Sequence, residues 1–174
     1  MGCGKSSVGR ELSRLLCCPF MDLDDVIVQN EGRSIPEIFA TDGETAFRRM
    51  ELQALRDIAV EDVETAVLAL GGGTVMTEEC REIVKEKTTC VYLKASVETL
   101  LEHLEGQTEG RPMLSGTCHS EQPKGVEESA LRQRIEDLMA RRAETYEKTA
   151  HIIIETDGRS IADNAQEISI LYKR

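Results

Sequence analysis

The sequence predicts an α/β fold in which helices sandwich a parallel sheet. Short apolar runs alternate with segments whose apolar residues recur at helical spacing, which is typical of βα units. The runs are short and apolar throughout, as expected for strands covered on both faces. A Gly-Cys-Gly-Lys-Ser-Ser run at residues 2–7 stands directly before the first helical pattern. That position indicates a phosphate-binding loop at the start of a helix.

Four apolar runs are the candidate strands, namely Pro19–Met21, Ala66–Leu70, Cys90–Lys94 and His151–Glu155. A helical face follows the glycine-rich run, formed by Val8, Leu12, Leu15 and Leu16. A long helix is expected from about Glu127 to Lys148. Between the helices near residues 100 and 130, the segment from about 106 to 125 lacks periodicity, and we expect a mobile lid there.

Capping residues predict where several helices begin. The patterns Ser34–Glu37 and Thr41–Glu44 both fit the capping box, so helices are expected to start near residues 35 and 42. Single N-caps are expected at Thr77, Ser96 and Ser160.

Composition limits the classes of function. The 174 residues suffice for one domain, 1–174, with a core of its own. A net charge of −11 disfavours a nucleic-acid-binding surface, which needs a basic stripe. Six cysteines form no C-x-x-C pair and no secretory leader is recognisable, so we expect reduced thiols in a cytoplasmic protein. No apolar run is long enough to cross a bilayer, and no membrane partner is expected.

Residues 2–7 match the end of the pattern G-x-x-x-x-G-K-[ST]. Glycines allow backbone N–H groups to turn inward around phosphate oxygens, and the helix behind them presents its positive end. Lys5 can then reach the β- and γ-phosphates of a nucleotide, and Ser6 can bind Mg²⁺. The alternative is a flexible glycine-rich terminus without a ligand.

Two acidic residues follow the first candidate strand. If the strand continues, Asp22 and Asp24 point to the same side at its carboxyl end, where ligands bind in open α/β sheets. One carboxylate could hold a water of Mg²⁺ and the other could accept a hydroxyl proton. The alternative is an N-cap cluster for a helix starting near Asp25.

Two arginines are candidates for binding a carboxylate. Arg142 falls on the apolar stripe of the long helix, and a buried guanidinium needs a partner. Arg48 has Glu51 one turn further on as an orienting partner. A planar guanidinium suits a carboxylate clamp, although both arginines could instead belong to structural ion pairs.

Three consecutive glycines, Gly71, Gly72 and Gly73, follow the second candidate strand and permit close backbone approach to a ligand. The alternative is a tight strand-to-helix turn. Arg111 opens the irregular segment and could reach a transferring phosphoryl group from a closed lid. The alternative for Arg111 is a solvated charge.

Taken in order and spacing, these motifs resemble the shikimate kinase family. The ordered set comprises G-x-G-K-S, D-x-D, F-R-R-x-E (47–51), G-G-G, R-P-x-L (111–114) and R-R-A-x-x-Y (141–146). The resemblance covers essentially the whole chain. It implies a P-loop kinase fold that uses ATP and Mg²⁺ to phosphorylate the 3-hydroxyl of shikimate, in aromatic amino-acid synthesis. It also implies a monomer, with a substrate-binding region at about 24–52.

The resemblance further assigns roles to residues. It implies that the residues contacting the nucleotide are Gly2, Cys3, Gly4, Lys5, Ser6, Ser7, Arg111 and Arg159. Ser6 would bind the metal ion, with Asp22 in the outer coordination shell. The residues that would bind shikimate are Asp24, Arg48, Gly71, Gly72, Gly73 and Arg142. Lys5, Asp24 and Arg111 are the catalytic set, and Asp24 assists deprotonation of the hydroxyl.

The chain departs from the family pattern in three places. An arginine often found against the adenine has no counterpart in residues 102–105, and the lid looks longer and less basic. The first glycine of the phosphate loop falls upstream of Met1, so the central first strand of the sheet is missing from this chain. We expect the natural protein to begin about ten residues earlier. A chain that truly starts at Met1 is expected to fold poorly and to have little activity.

Two other functions stay open at this point. One is a related small-molecule kinase such as a gluconate kinase, against which the arginine pair and the three glycines argue. The other is a non-catalytic or weakly active nucleotide-binding homologue, which the shortened loop favours and the retained Lys5, Asp24, Arg48 and Arg142 disfavour.

Overall fold

The computed structural model describes residues 3–60, 65–104 and 124–173. Within these ranges the helices are α1 Lys5–Leu16, α2 Leu23–Glu31, α3 Ile35–Thr41, α4 Gly43–Val60, α5 Glu78–Lys87, α6 Val97–Leu104, α7 Lys124–Thr149 and α8 Ile161–Tyr172. The strands are β1 Phe20–Asp22, β2 Val67–Ala69, β3 Val91–Lys94 and β4 Ile152–Glu155. Each predicted strand is therefore confirmed to within one residue at either end.

All the strand pairs in these ranges are parallel, which confirms the predicted fold class. Strand β1 pairs with β2, with Phe20 opposite Val67, and β3 pairs with β4, with Val91 opposite Ile152. The result is two separate two-stranded sheets. Parallel pairing puts the carboxyl ends of paired strands at the same edge, so the loops that follow the paired strands lie together there.

A cavity of about 560 Å³ lies between the facing edges of β2 and β3. Its lining is largely aliphatic and comes from both strands and from the helices beside them, including Val8, Leu12, Leu68, Val91, Leu93 and Ile168. Within residues 3–60, 65–104 and 124–173, no strand lies between β2 and β3.

Helix α1 connects the two sheets by packing. Its buried residues Val8 and Leu12 join Leu93 of β3 and Ile154 of β4 in one apolar cluster. A Cβ atom at Gly9 would lie 2.6 Å from the ring of Phe20, so a glycine is needed where α1 crosses β1. A second cluster, formed by Leu23, Ile27, Ile38, Phe47 and Ala54, packs α2, α3 and α4 against Leu68 of β2.

The capping predictions are confirmed at three positions. Ser34 forms a capping box with Glu37, Ser160 forms one with Asp163, and Ser96 Oγ accepts a hydrogen bond from Thr99 N at 3.3 Å. Thr77 occupies the N-cap position of α5 without a side-chain capping bond.

The capping box predicted at residues 41–44 is wrong. The Thr41 hydroxyl instead donates to the Glu37 carbonyl and accepts from Arg33, because Thr41 ends α3. Helix α4 nevertheless starts at Gly43, one residue from the predicted position. In the three described ranges no helix is both long and apolar enough to span a membrane.

Candidate functional site

The glycine-rich run leads directly into α1, as predicted. Gly4 is the N-cap of α1, and its φ of 74° is the left-handed conformation that glycine adopts without strain. No side chain caps this end, and no acidic residue lies in the first turn. The N–H groups of the first turn, which includes Lys5, Ser6 and Ser7, therefore face outward with the positive end of the helix dipole.

Asp22 links the glycine-rich loop to the end of β1. Its Oδ2 accepts a hydrogen bond from Ser6 Oγ at 2.7 Å, and its Oδ1 accepts one from Asp24 N at 3.1 Å. Asp22 is thus the N-cap of α2, as the alternative interpretation proposed. The strand does not continue as the expectation of Asp22 and Asp24 on one side of it required, because β1 ends at Asp22 and Asp24 lies in the first turn of α2.

Asp24 nevertheless faces the glycine loop. A Cβ atom at Gly71 would lie 3.2 Å from Asp24 Oδ1 and 3.0 Å from Glu51 Oε1. Burial raises the pKa of Asp24 to about 6, with further contributions from the carboxylates of Asp22 and Glu51, while Lys5 acts in the opposite direction. A carboxylate with a pKa near neutrality is suited to exchange protons at physiological pH.

Arg48 is fixed by two carboxylates of its own helix. Its Nη1 donates to Glu51 at 2.5 Å and its Nη2 to Glu44 at 2.9 Å. Glu51 is only 1% exposed and also accepts a hydrogen bond from the Thr74 hydroxyl at 2.6 Å. A Cβ atom at Gly73 would lie 2.5 Å from the Arg48 guanidinium, so a side chain there would displace that guanidinium.

Arg142 reaches the same loop from α7. Its Nη1 donates to the Gly72 carbonyl at 3.3 Å, and the Tyr146 hydroxyl donates to the same oxygen. Glu44 and Glu51 neutralise Arg48, whereas Arg142 forms no ion pair with the residues that the structure describes. Within those residues, no carboxylate neutralises its positive charge.

The structure brings three predicted side chains to three consecutive glycines. Asp24 lies at Gly71, Arg142 at Gly72 and Arg48 at Gly73. Lys5 and Cys3 line a small cavity of about 100 Å³ together with Gly71 and Gly72, so the glycine-rich loop borders the same place. A carboxylate, two guanidinium groups and the lysine of the glycine-rich loop therefore all border the loop of three glycines that follows β2.

Other predicted residues lie elsewhere. Arg159 is exposed on the loop after β4 and pairs with Glu167 of α8. Gly2 and Arg111 lie outside the described residues, as does the lid predicted at 106–125 except for its last two positions. Those two positions, Lys124 and Gly125, belong to α7, so the long helix starts three residues earlier than predicted.

Sequence reasoning missed two residues of this site. Thr74 follows the glycines and binds the buried Glu51, but a single threonine after three glycines carries no distinctive signal. Tyr146 belongs to the R-R-A-x-x-Y motif and to the apolar stripe of the long helix, but neither pattern gives it a role in the site. A tyrosine on such a stripe needs a partner for its hydroxyl, and that requirement could have pointed to a contact with the loop.

A comparison with family models matches residues 1–172 to the family described as "Shikimate kinase". Among curated proteins, the chain is 42% identical over 168 residues to a shikimate kinase of Thermus thermophilus, covering 97% of this chain and 83% of that protein. It is 38% identical over 173 residues to a shikimate kinase of Chlorobium chlorochromatii, covering 99% of this chain and 87% of that protein.

Solved structures give the same result. The shikimate kinase from Acinetobacter baumannii in complex with shikimate superposes with a TM-score of 0.87 at 34% identity, covering 99% of this chain and 88% of that chain. The shikimate kinase from Aquifex aeolicus superposes with a TM-score of 0.76 at 30% identity, covering 99% of this chain and 92% of that chain.

Proposed function

Because the chain belongs to the shikimate kinase family, we propose that it transfers the γ-phosphoryl group of ATP to the 3-hydroxyl of shikimate. The products are ADP and shikimate 3-phosphate. One observation carries the proposal: Asp24, Arg142 and Arg48 meet at three consecutive glycines beside the loop that precedes α1. That arrangement offers one site for a hydroxylated carboxylic acid next to one site for a phosphate chain.

The nucleotide half of the proposed site is the start of α1. Backbone N–H groups from Cys3 to Ser7, the positive end of the helix and the Lys5 ammonium would bind the phosphates. Gly2, Arg111 and Arg159 remain proposed nucleotide contacts on the strength of the family motifs. For Arg159, binding the nucleotide would require exchange of its ion pair with Glu167.

The residues present fit a magnesium ion. A serine hydroxyl and a carboxylate stand 2.7 Å apart at Ser6 and Asp22, and oxygen atoms are the ligands that Mg²⁺ prefers. The described residues contain no cluster of three or more acidic, histidine or cysteine side chains that could hold a metal alone. Ser6 would therefore hold the ion together with phosphate oxygens and water, and Asp22 would bind one of those waters. When bound, the ion offsets the negative charge of the phosphates.

The acid half of the proposed site uses the two arginines. Arg142 would bind the carboxylate of shikimate with N–H groups that the Gly72 carbonyl does not occupy. Arg48, which Glu44 and Glu51 hold in place, would donate its remaining N–H groups to the same carboxylate. The glycine loop would allow the ring to approach the backbone.

Asp24 would act as the general base. Its carboxylate accepts the proton of the 3-hydroxyl as that oxygen attacks the γ-phosphorus, and the bond to the bridging oxygen of ADP breaks. The raised pKa of about 6 keeps Asp24 ionised at neutral pH while making it a stronger base than an ordinary aspartate.

A coupled ADP-release assay tests the proposal, with Mg²⁺ and ATP present and shikimate added or omitted. We expect turnover only with shikimate, and a loss of at least about a hundredfold in Asp24→Asn and Arg142→Ala. Arg141→Ala is the matched control, because Arg141 is the exposed neighbour of Arg142 on α7 and should leave the rate unchanged. ATP binding without shikimate-dependent turnover would indicate a non-catalytic nucleotide-binding protein instead.

We also propose that the protein acts as a cytoplasmic monomer. Light scattering coupled to size-exclusion chromatography measures the oligomeric state directly, and a mass of about 19.4 kDa is the expected result.

A further inference from the structure

One carbonyl oxygen of the glycine loop is held from α7 by two side chains. Arg142 Nη1 and the Tyr146 hydroxyl both donate to Gly72 O. Arg142 and Tyr146 are four residues apart, so they lie on one face of the helix. The Arg142 bond, at 3.3 Å, is longer than the usual 2.9–3.0 Å of such bonds. It also uses only one of the five N–H groups of the guanidinium.

The position of the Tyr146 ring is fixed by packing. Its ring lies against Tyr92 of β3, with centroids 5.3 Å apart and planes tilted by 46°. It also packs against the buried cluster of Leu55, Val75, Cys80 and Val84. The hydroxyl is therefore presented to the loop from a rigid base, without relying on the loop itself for its position.

Holding this carbonyl orients the next peptide group. The bond between Gly72 and Gly73 is trans, and the peptide unit is planar, so its N–H points opposite to its C=O. With the Gly72 carbonyl turned to α7, the Gly73 N–H is turned away from α7. Three glycines without side chains have wide conformational freedom, so a fixed point is needed to keep this arrangement.

From these contacts we propose that Tyr146 is a positioning residue for the acid substrate. Its hydroxyl anchors the Gly72 carbonyl and so keeps the glycine loop in place while Arg142 turns its guanidinium to the carboxylate. This inference rests on the proposed function and adds to it a residue that touches neither substrate. Arg142 can release the carbonyl on binding the acid because Tyr146 still satisfies that oxygen.

Tyr146→Phe tests the proposal, since it keeps the packed ring and removes only the hydroxyl. We expect the KM for shikimate to rise about fivefold, the size of one lost hydrogen bond, with kcat and the KM for ATP changed less than about twofold. Tyr92→Phe is the matched control. The Tyr92 hydroxyl is buried and has no hydrogen-bond partner among the described residues, so its removal should leave all three constants unchanged.

Three outcomes decide the question. If the wild type is active and the Tyr146→Phe variant has an unchanged KM for shikimate, the inference is overturned while the proposed function stands. Equal changes in the constants for shikimate and ATP would also overturn it, because they indicate a general structural defect. A wild type without shikimate-dependent turnover would overturn the proposed function and this inference with it.

A measurement on the wild type keeps the proposal testable should the variant not fold. In ¹⁵N-labelled protein with Mg²⁺ and a non-hydrolysable ATP analogue, the Gly73 amide should exchange with solvent deuterium at least about fivefold more slowly once shikimate saturates the site. An unchanged exchange rate at Gly73 would show that the anchored loop does not present its backbone to the acid, and would overturn the proposal.

Discussion

Replacing Asp24 by asparagine is expected to make the protein more stable and less active at the same time. The folded environment raises the pKa of Asp24 from 3.8 to about 6, mainly by burial. The folded state therefore binds this proton more tightly than the unfolded state does. The stabilisation that this proton provides is complete below about pH 4 and is lost as the pH rises through about 6.

The magnitude follows from the size of the shift. The difference between about 6 and 3.8 is roughly 2 pH units, and each unit corresponds to about 1.4 kcal/mol. The ionised carboxylate therefore costs up to about 3 kcal/mol at pH 8, and about half that if the solvent that reaches Asp24 screens it. Asparagine has a similar shape and no charge, so it removes this cost.

Urea unfolding of both proteins between pH 4 and pH 8 measures the effect. The free energy of unfolding of Asp24→Asn should exceed that of the wild type by almost nothing at pH 4, and by about 1.5–3 kcal/mol at pH 8. At pH 7 and above, where the proposed base is ionised, kcat of the variant should be at least about a hundredfold lower than that of the wild type. Asp25→Asn is the control, because Asp25 is the exposed neighbour on α2. A stability difference that stays constant with pH would refute the reasoning.

Four further predictions use other contacts of the site. In the wild type, kcat/KM should fall about tenfold per pH unit below about pH 6, as the proposed base is protonated; a flat profile would contradict this. Gly73→Ala places a Cβ 2.5 Å from the Arg48 guanidinium, so the KM for shikimate should rise at least about tenfold while that for ATP stays constant. Ser6→Ala removes the hydroxyl that bonds Asp22, and the Mg²⁺ concentration giving half the maximal rate should rise about tenfold in a metal titration. Glu51→Gln leaves Arg48 with one carboxylate instead of two, and urea unfolding should show a loss of about 2 kcal/mol.

The elements of the fold could be predicted because their signals are local. Four short apolar runs became strands β1 to β4, and the serine caps at residues 34, 96 and 160 mark the starts of α3, α6 and α8. Thr41 shows the limit of such signals. The same residues fit both the end of α3 and the start of α4, and the tight junction between the two helices decided the outcome.

The site could be predicted only in part, because its geometry depends on tertiary contacts. The position of Arg142 on an apolar stripe predicts that its side chain points inward. Its actual partner, the Gly72 carbonyl, is 70 residues away in the sequence and could not be predicted. The position of Asp24 in a helix, and not along a strand, follows from the capping role of Asp22. The roles of Thr74 and Tyr146 depend on partners that are distant in sequence, namely Glu51 for Thr74 and the Gly72 carbonyl for Tyr146.

The position of α7 has a consequence for the site. Asp24 and Arg48 come from α2 and α4, whereas Arg142 comes from α7. Tyr146 of the same helix packs against Tyr92 of β3 and against the cluster of Leu55, Val75, Cys80 and Val84. A substitution that shifts α7 on this packing would therefore change the separation of the two guanidinium groups without touching either of them.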